Sequence, residues 1–294
     1  MRFFIFLICL LITPTYIYSQ NLPETDILLI DIAYSQGKLT VGDTHHVAVR
    51  PGYDNQPYFL HSNEGLLFSS NNGSGLTDIY LYYFSNGGIY NLTQTGQTAE
   101  YSPQQIPGQE KFTTVTVEED GSTQRLWQFD FPGVNRQLTF AENESIGYYH
   151  WINDQELGAF VLGDSFTLHH ILPDAGVDSL LAGSIGRCLL THPPSGHLTY
   201  VHKPPNDSSW YIQAIDPTTG KKQRLMPTLP GVEDYVWLPD GKALMADKGI
   251  IYQWQSKKWA PIADLSDRIP DFYRMVIGPR AEKLAVVRFE GTTP

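Results

Sequence analysis

Asp78-Ile79-Tyr80-Leu81-Tyr82-Tyr83-Phe84, then a turn at Asn86-Gly87, then Gly88-Ile89-Tyr90-Asn91-Leu92-Thr93 reads as an alternating strand, a tight reversal and a second strand. Asn-Gly-Gly tolerates the positive φ that such a reversal requires. The same outer hairpin recurs at Asp26 to Ile32 with Gly37 to Thr40, and at Gln124 to Asp130 with Arg136 to Thr139. It appears again at Phe166 to Leu172 with Val177 to Ala182, Trp210 to Asp216 with Lys221 to Met226, and Ile250 to Gln255 with Trp259 to Ala263. Between these lies a different hairpin, in which a segment with a Tyr or Trp near it meets a turn and then an apolar run. The runs are Leu66 to Ser69, Phe112 to Val117, Gly158 to Leu162, Leu198 to Val201, Ala243 to Ala246 and Leu284 to Val287.

Each hairpin type occurs six times, at a spacing of about 40 to 50 residues. Strands at that period, without any helical pattern, predict an all-β, six-bladed β-propeller of four-stranded antiparallel blades. The phase of the repeat adds a detail. The chain starts on an outer hairpin (26 to 40) and ends on an inner one (about 273 to 289), so the two ends are expected to share one blade and close the ring.

With 294 residues, 41% hydrophobic and 13% aromatic, the chain can bury a substantial core, and one domain over 20–294 accounts for it. Residues 1–19 read as a signal peptide: Arg2, the apolar stretch Phe3 to Ile12, the break at Pro14 and the small Ser19. That stretch is about half the ~20 residues that span a bilayer. An exported protein, periplasmic or secreted, is therefore expected, with no transmembrane segment after cleavage. The net charge of −11 makes nucleic acid an improbable partner, since phosphate binding needs a basic face. Cys9 lies in the leader, which leaves Cys188 and no intrachain disulfide. A monomer is expected.

Thr77-Asp78-Ile79-Tyr80-Leu81, Trp237-Leu238-Pro239-Asp240-Gly241-Lys242 and Gln137-Leu138-Thr139 resemble the repeat of TolB-like β-propellers, in which a W-S-P-D-G-K turn, an apolar strand, a D-I-Y strand and a closing L-T follow one another. The resemblance covers about residues 24 to 290 and is degenerate, because only the fifth inner hairpin keeps Pro-Asp-Gly-Lys. It implies an extracytoplasmic six-bladed propeller that serves as a binding or scaffolding platform. It implies no catalytic residue.

In a propeller the innermost strands line the central channel, so residues just before each inner turn are the candidate site. Counting back places Asn55 and Gln56, Glu100 and Tyr101, Tyr148 to His150, Arg187, Glu233 and Asp234, and Tyr273 and Arg274 near one rim. As a ligand site, this ring would pair Arg187 and Arg274 with a carboxylate and Glu100, Glu233 and Asp234 with an amine. Alternatively, the channel is wet and the charges pair with one another, so no ligand is needed.

Metal sites find little support. His197 and His202 flank a strand and would stand about 16 Å apart, too far to share one ion at ~2.1 Å. His169 and His170 fall in an outer strand and face opposite ways. His45-His46 is read as a loop pair after Asp43. Gly163-Asp164-Ser165-Phe166 resembles the nucleophile block of one esterase family, but Ser165 reads as a turn serine. The sequence thus predicts a non-catalytic propeller, without metal or cofactor, that binds a protein or peptide at one face or at the channel mouth. The alternative is a propeller enzyme of lactonase or polysaccharide lyase type, with His150, Glu100, Glu233 and Asp234 converging on the axis. A carbohydrate-binding module would instead show a coplanar pair of exposed aromatics.

Overall fold

The computed structural model describes residues 22–35, 37–48 and 51–290, and the leader assigned to residues 1–19 lies outside them. The first two strands, β1 (Thr25–Ser35) and β2 (Lys38–His46), form the outer half of a blade. Blade 1 is β3 (Asp54–Phe59), β4 (Gly65–Asn71), β5 (Thr77–Tyr83) and β6 (Ile89–Asn91). Blade 2 is β7 (Ala99–Gln105), β8 (Lys111–Val117), β9 (Gln124–Asp130) and β10 (Val134–Phe140). Blade 3 is β11 (Ile146–Trp151), β12 (Leu157–Val161), β13 (Thr167–Leu172) and β14 (Val177–Gly183). Blade 4 is β15 (Ile185–Thr191), β16 (Leu198–His202), β17 (Tyr211–Ile215) and β18 (Lys222–Pro227). Blade 5 is β19 (Tyr235–Trp237), β20 (Ala243–Asp247), β21 (Ile250–Gln255) and β22 (Lys258–Asp264). The remaining pair, β23 (Phe272–Ile277) and β24 (Lys283–Phe289), joins β1 and β2 in blade 6, in the order β2-β1-β24-β23. All six sheets are four-stranded, and there is no α-helix among the described residues.

The apolar runs are the second strands, and burial explains their composition. Along β12, for example, every residue is buried, because both faces of the strand are covered by neighbouring blades. Side-chain alternation then divides each strand between two cores. In β1, Ile27 and Leu29 pack toward Phe59, Leu66 and Phe68 of blade 1, whereas Leu28 and Ile30 pack toward Val236, Leu244 and Ile251 of blade 5. Six such cores lie between successive blades.

A polar clasp recurs inside two of these interfaces. Trp237 Nε1 and Tyr235 Oη, two residues apart on β19, both donate to Thr199 Oγ1 on β16 (2.9 and 2.8 Å), and Thr199 passes its own proton to the Leu190 carbonyl. On β11, Trp151 Nε1 donates to Thr113 Oγ1 of β8 at 2.8 Å as Trp237 does to Thr199, but Tyr149 Oη gives its proton to the Thr113 carbonyl at 2.6 Å and lies 2.8 Å from Thr113 Oγ1. The clasp satisfies polar atoms that burial would otherwise leave unpaired.

Candidate functional site

Five of the six inner strands break their ladders, and β19 alone pairs regularly over its three residues. β3 breaks register between Asn55 and Tyr58, β7 between Tyr101 and Gln104, β11 between Ile146 and Tyr148, β15 between Ile185 and Leu189, and β23 between Phe272 and Arg274. Such bulges re-aim side chains, and here they place Arg187, Tyr148 and Arg274 at the lining of a central cavity of about 320 Å³. Gln56 and Ser102 adopt left-handed backbone at two of these breaks (φ 53° and 52°), and Gln56 Oε1 accepts from the Ser102 N–H at 2.8 Å, tying blade 1 to blade 2.

Most of the sequence-predicted ring is committed to partners within the protein. Arg187 donates to Glu233 at 2.5 Å and to Asp234, and Lys203 takes the other Glu233 oxygen at 2.5 Å. Burial works to raise the Glu233 pKa, but Arg187 and Lys203 outweigh it and hold the carboxyl below its usual range. For Asp234, burial prevails over Arg187 and Arg274, and its pKa is raised. The expected amine site at Glu233 and Asp234 is therefore filled by the protein's own cations, and Arg187 is spoken for.

Glu100 lies elsewhere. It is fully buried and absent from the cavity lining. Thr95 Oγ1 donates to both of its oxygens (2.7 and 2.8 Å), Thr98 Oγ1 to Oε1 (2.6 Å) and Thr93 Oγ1 to Oε2 (3.2 Å), so it fastens the crossover from blade 1 to blade 2. Burial pushes its carboxyl up to about 7, against the pull of those hydroxyls. Tyr101, expected beside it on the rim, does not line the cavity either: it packs against the core between blades 2 and 3, and the strand reaches the cavity only at Ser102, Pro103 and Gln104. His150 does line the cavity, but its Nε2 accepts the Thr191 N–H at 2.9 Å, and burial lowers its pKa to about 4. It is a neutral imidazole with that nitrogen occupied. Asn55 is buried, donating to Tyr273 Oη at 2.6 Å and accepting the Gln56 N–H at 2.8 Å.

Arg274 is the exception. It makes no ion pair and no hydrogen bond among the described residues. Its guanidinium carbon stands 5.5 Å from the Tyr148 ring centroid, within the range of a cation–π contact. Burial opposes its charge, yet the fields of Tyr148, Asp234, Tyr53 and Tyr273 prevail and raise its pKa. Tyr101 packs edge-on against Tyr53 at 6.3 Å, extending the aromatic surround. Tyr53 and Lys203 were not anticipated from sequence: Tyr53 precedes β3, and Lys203 lies one residue beyond β16.

No family model and no curated protein matches the chain. Among solved structures it is similar to TolB from Acinetobacter baumannii (TM-score 0.58, 11% identity over 91% of this chain) and spans 64% of the length of that protein. It is also similar to a putative TolB from Agrobacterium tumefaciens (TM-score 0.68, 14% identity, 91% of this chain and 98% of that one). The fold is that of a TolB-like propeller. An oligogalacturonate lyase in complex with manganese shares it as well (TM-score 0.60, 11% identity, 87% of this chain and 83% of that one). At such identities the likeness bears on fold alone.

Among the described residues, no group of three or more His, Cys, Asp or Glu side chains is placed to hold a metal ion. His45 and His46 lie at the end of β2 and not in the loop expected from sequence, and His45 Nε2 sits 3.3 Å from Asp31 Oδ2. His169 Nδ1 contacts Asp178 and His170 Nε2 contacts Glu156, each at 2.5 Å. Ser165 falls in the bend between β12 and β13. No helix of the described residues is long and apolar enough to cross a membrane.

Proposed function

We propose that this chain is an exported binding propeller that receives a protein or peptide at its channel mouth, with a carboxylate of the partner seated on Arg274. The observation that carries this reading is the guanidinium of Arg274, half-buried beside a cavity of about 320 Å³ and without a hydrogen bond or ion pair to any carboxylate among the described residues, though it feels the field of Asp234. A charged group removed from water and left unpaired gains most from an opposite charge with hydrogen-bonding geometry. Tyr148 lines the same cavity and supplies ring surface beside it, while Tyr53 and Tyr273 lie close enough to favour its charge. The cavity is at the small end of the range for ligand pockets, which suits the end of a chain better than a folded domain. Export is supported by the leader-like composition of residues 1–19 and agrees with the TolB-like fold.

The enzyme reading fares less well on the same side chains. Glu100 is closed in by threonines, Glu233 and Asp234 face cations, and His150 already accepts a backbone proton. Nothing in that group is poised as a general base. A library of random heptapeptides with free C-termini, selected on immobilised protein, tests the binding reading. Selection should enrich sequences that lose binding on C-terminal amidation and on Arg274→Met, with melting curves showing that the variant stays folded. Equal capture by the variant would refute the proposal.

A further inference from the structure

A groove of about 1200 Å³ lies between blades 1 and 2, where the turns β3–β4, β5–β6, β7–β8 and β9–β10 meet, on the face opposite the Arg274 cluster. Its origin is the length of β6. That outermost strand has three residues, whereas the outermost strands of the other blades have six to nine. After Asn91 the chain leaves the sheet, the Thr93 hydroxyl accepting the Ile79 N–H, and the flank of blade 1 stays open. Because β6 is last in its sheet, no strand of the described residues lies along its outer edge.

The lining combines three kinds of chemistry. Leu92 and Phe131 form an apolar floor. Tyr83 and Tyr90 form a wall, 36% and 50% exposed, with rings edge-to-face at 5.8 Å and 73°. The Tyr90 ring lies over Gly88, where an added Cβ would come within 2.9 Å of it. Exposed tyrosines are the kind of residue that anchors interfaces. The rim carries Glu64 and Glu110 from the two inner turns. Both are exposed, and neither carboxylate has a hydrogen bond or ion pair among the described residues. No Lys or Arg is among the described residues that line the groove, and its one histidine, His61, has its pKa lowered by burial.

We infer that this groove docks an extended, cationic segment of a protein partner. Its Lys or Arg side chains meet Glu64, Glu110 and the face of Tyr90, and the alternating apolar residues lie on Leu92 and Phe131. A strand has the matching period of two, and the outer edge of β6 offers it backbone partners, apart from the Asn91 carbonyl, which already accepts from Gln94 Nε2 at 3.1 Å. The crossed rings of Tyr83 and Tyr90 make no coplanar platform for a sugar.

The probe is a labelled peptide of four Lys-Val repeats, acetylated and amidated so that it has no carboxylate for Arg274; the Glu-Val counterpart is the control. Fluorescence anisotropy should show saturable binding of the lysine peptide alone. Affinity should fall at least tenfold in Tyr90→Ala and in the double variant Glu64→Gln/Glu110→Gln, and should not change in Arg274→Met. Hydrogen exchange at Ile89 to Asn91 should slow in the complex. No saturable binding would overturn the inference. So would binding indifferent to those substitutions, which is only the attraction of a −11 chain for a polycation. Tyr90-dependent binding of a neutral oligosaccharide instead of the peptide, or Tyr90-dependent self-association, would also overturn it.

Discussion

Gly133, in the turn between β9 and β10, has φ +109°, and a Cβ built on it would stand 2.1 Å from the Leu92 carbonyl oxygen. Backbone therefore meets backbone where blade 2 closes on blade 1, and no side-chain rotation can relieve an added methyl. Gly133→Ala should cost about 2–4 kcal/mol, read as a lowered denaturant midpoint; an unchanged midpoint would mean that the contact yields freely. Glu100 makes a different prediction at the same scale. Its folded pKa, about 7, is raised above the 4.5 of a free carboxyl, so its contribution to stability is present below about 4.5 and is lost as pH rises through 7. The shift corresponds to roughly 3 kcal/mol at most. Melting temperatures of the wild type and Glu100→Gln, compared from pH 5 to 8, should show the variant gaining on the wild type as pH rises. A constant difference would mean that Glu100 titrates as in the unfolded chain.

Between elements, the Tyr-x-Trp clasp makes the most direct prediction. Thr199→Val keeps the shape of the side chain but leaves Tyr235 Oη and Trp237 Nε1 buried without their acceptor. The loss should be about 2–4 kcal/mol, and thermal unfolding of the variant checks it. The strands were legible in sequence because second strands are largely buried, β12 along its whole length, and third strands such as β21 alternate between buried and partly exposed residues, so composition follows burial there. β21 has the limits read from sequence, Ile250 to Gln255. The site was legible only as a set of positions. Counting back from the inner turns found Arg187, Tyr148 and Arg274, but the bulges beside them leave no mark in composition, since Gln56 and Ser102 take the left-handed conformation without being glycine. Which carboxylates meet which cations depends on those bulges, so the Arg187–Glu233–Asp234 network, and Arg274 left outside it, emerged only in three dimensions.

For the whole molecule, β1 pairs with β24 from Thr25↔Phe289 to Asp31↔Lys283, so one blade draws on both ends of the described chain. Removing residues 25–46 would bare the β24 edge and strip Ile27, Leu28, Leu29 and Ile30 from two of the six cores. The truncated chain should be insoluble or melt without cooperativity, and cooperative melting at the full-length temperature would show that the closing hairpin contributes little. A closed ring in turn holds the six inner strands around one cavity, which is what brings Tyr53, Tyr148 and Tyr273 from three blades around Arg274. The most direct test of that site is a calorimetric titration with the strongest peptide selected for binding, as its free acid and as its amide, into the wild type and Arg274→Met. A carboxylate on Arg274 predicts that amidation and the substitution each weaken binding at least tenfold, and that the amide binds both proteins alike. Equal affinity of acid and amide for the wild type would contradict it.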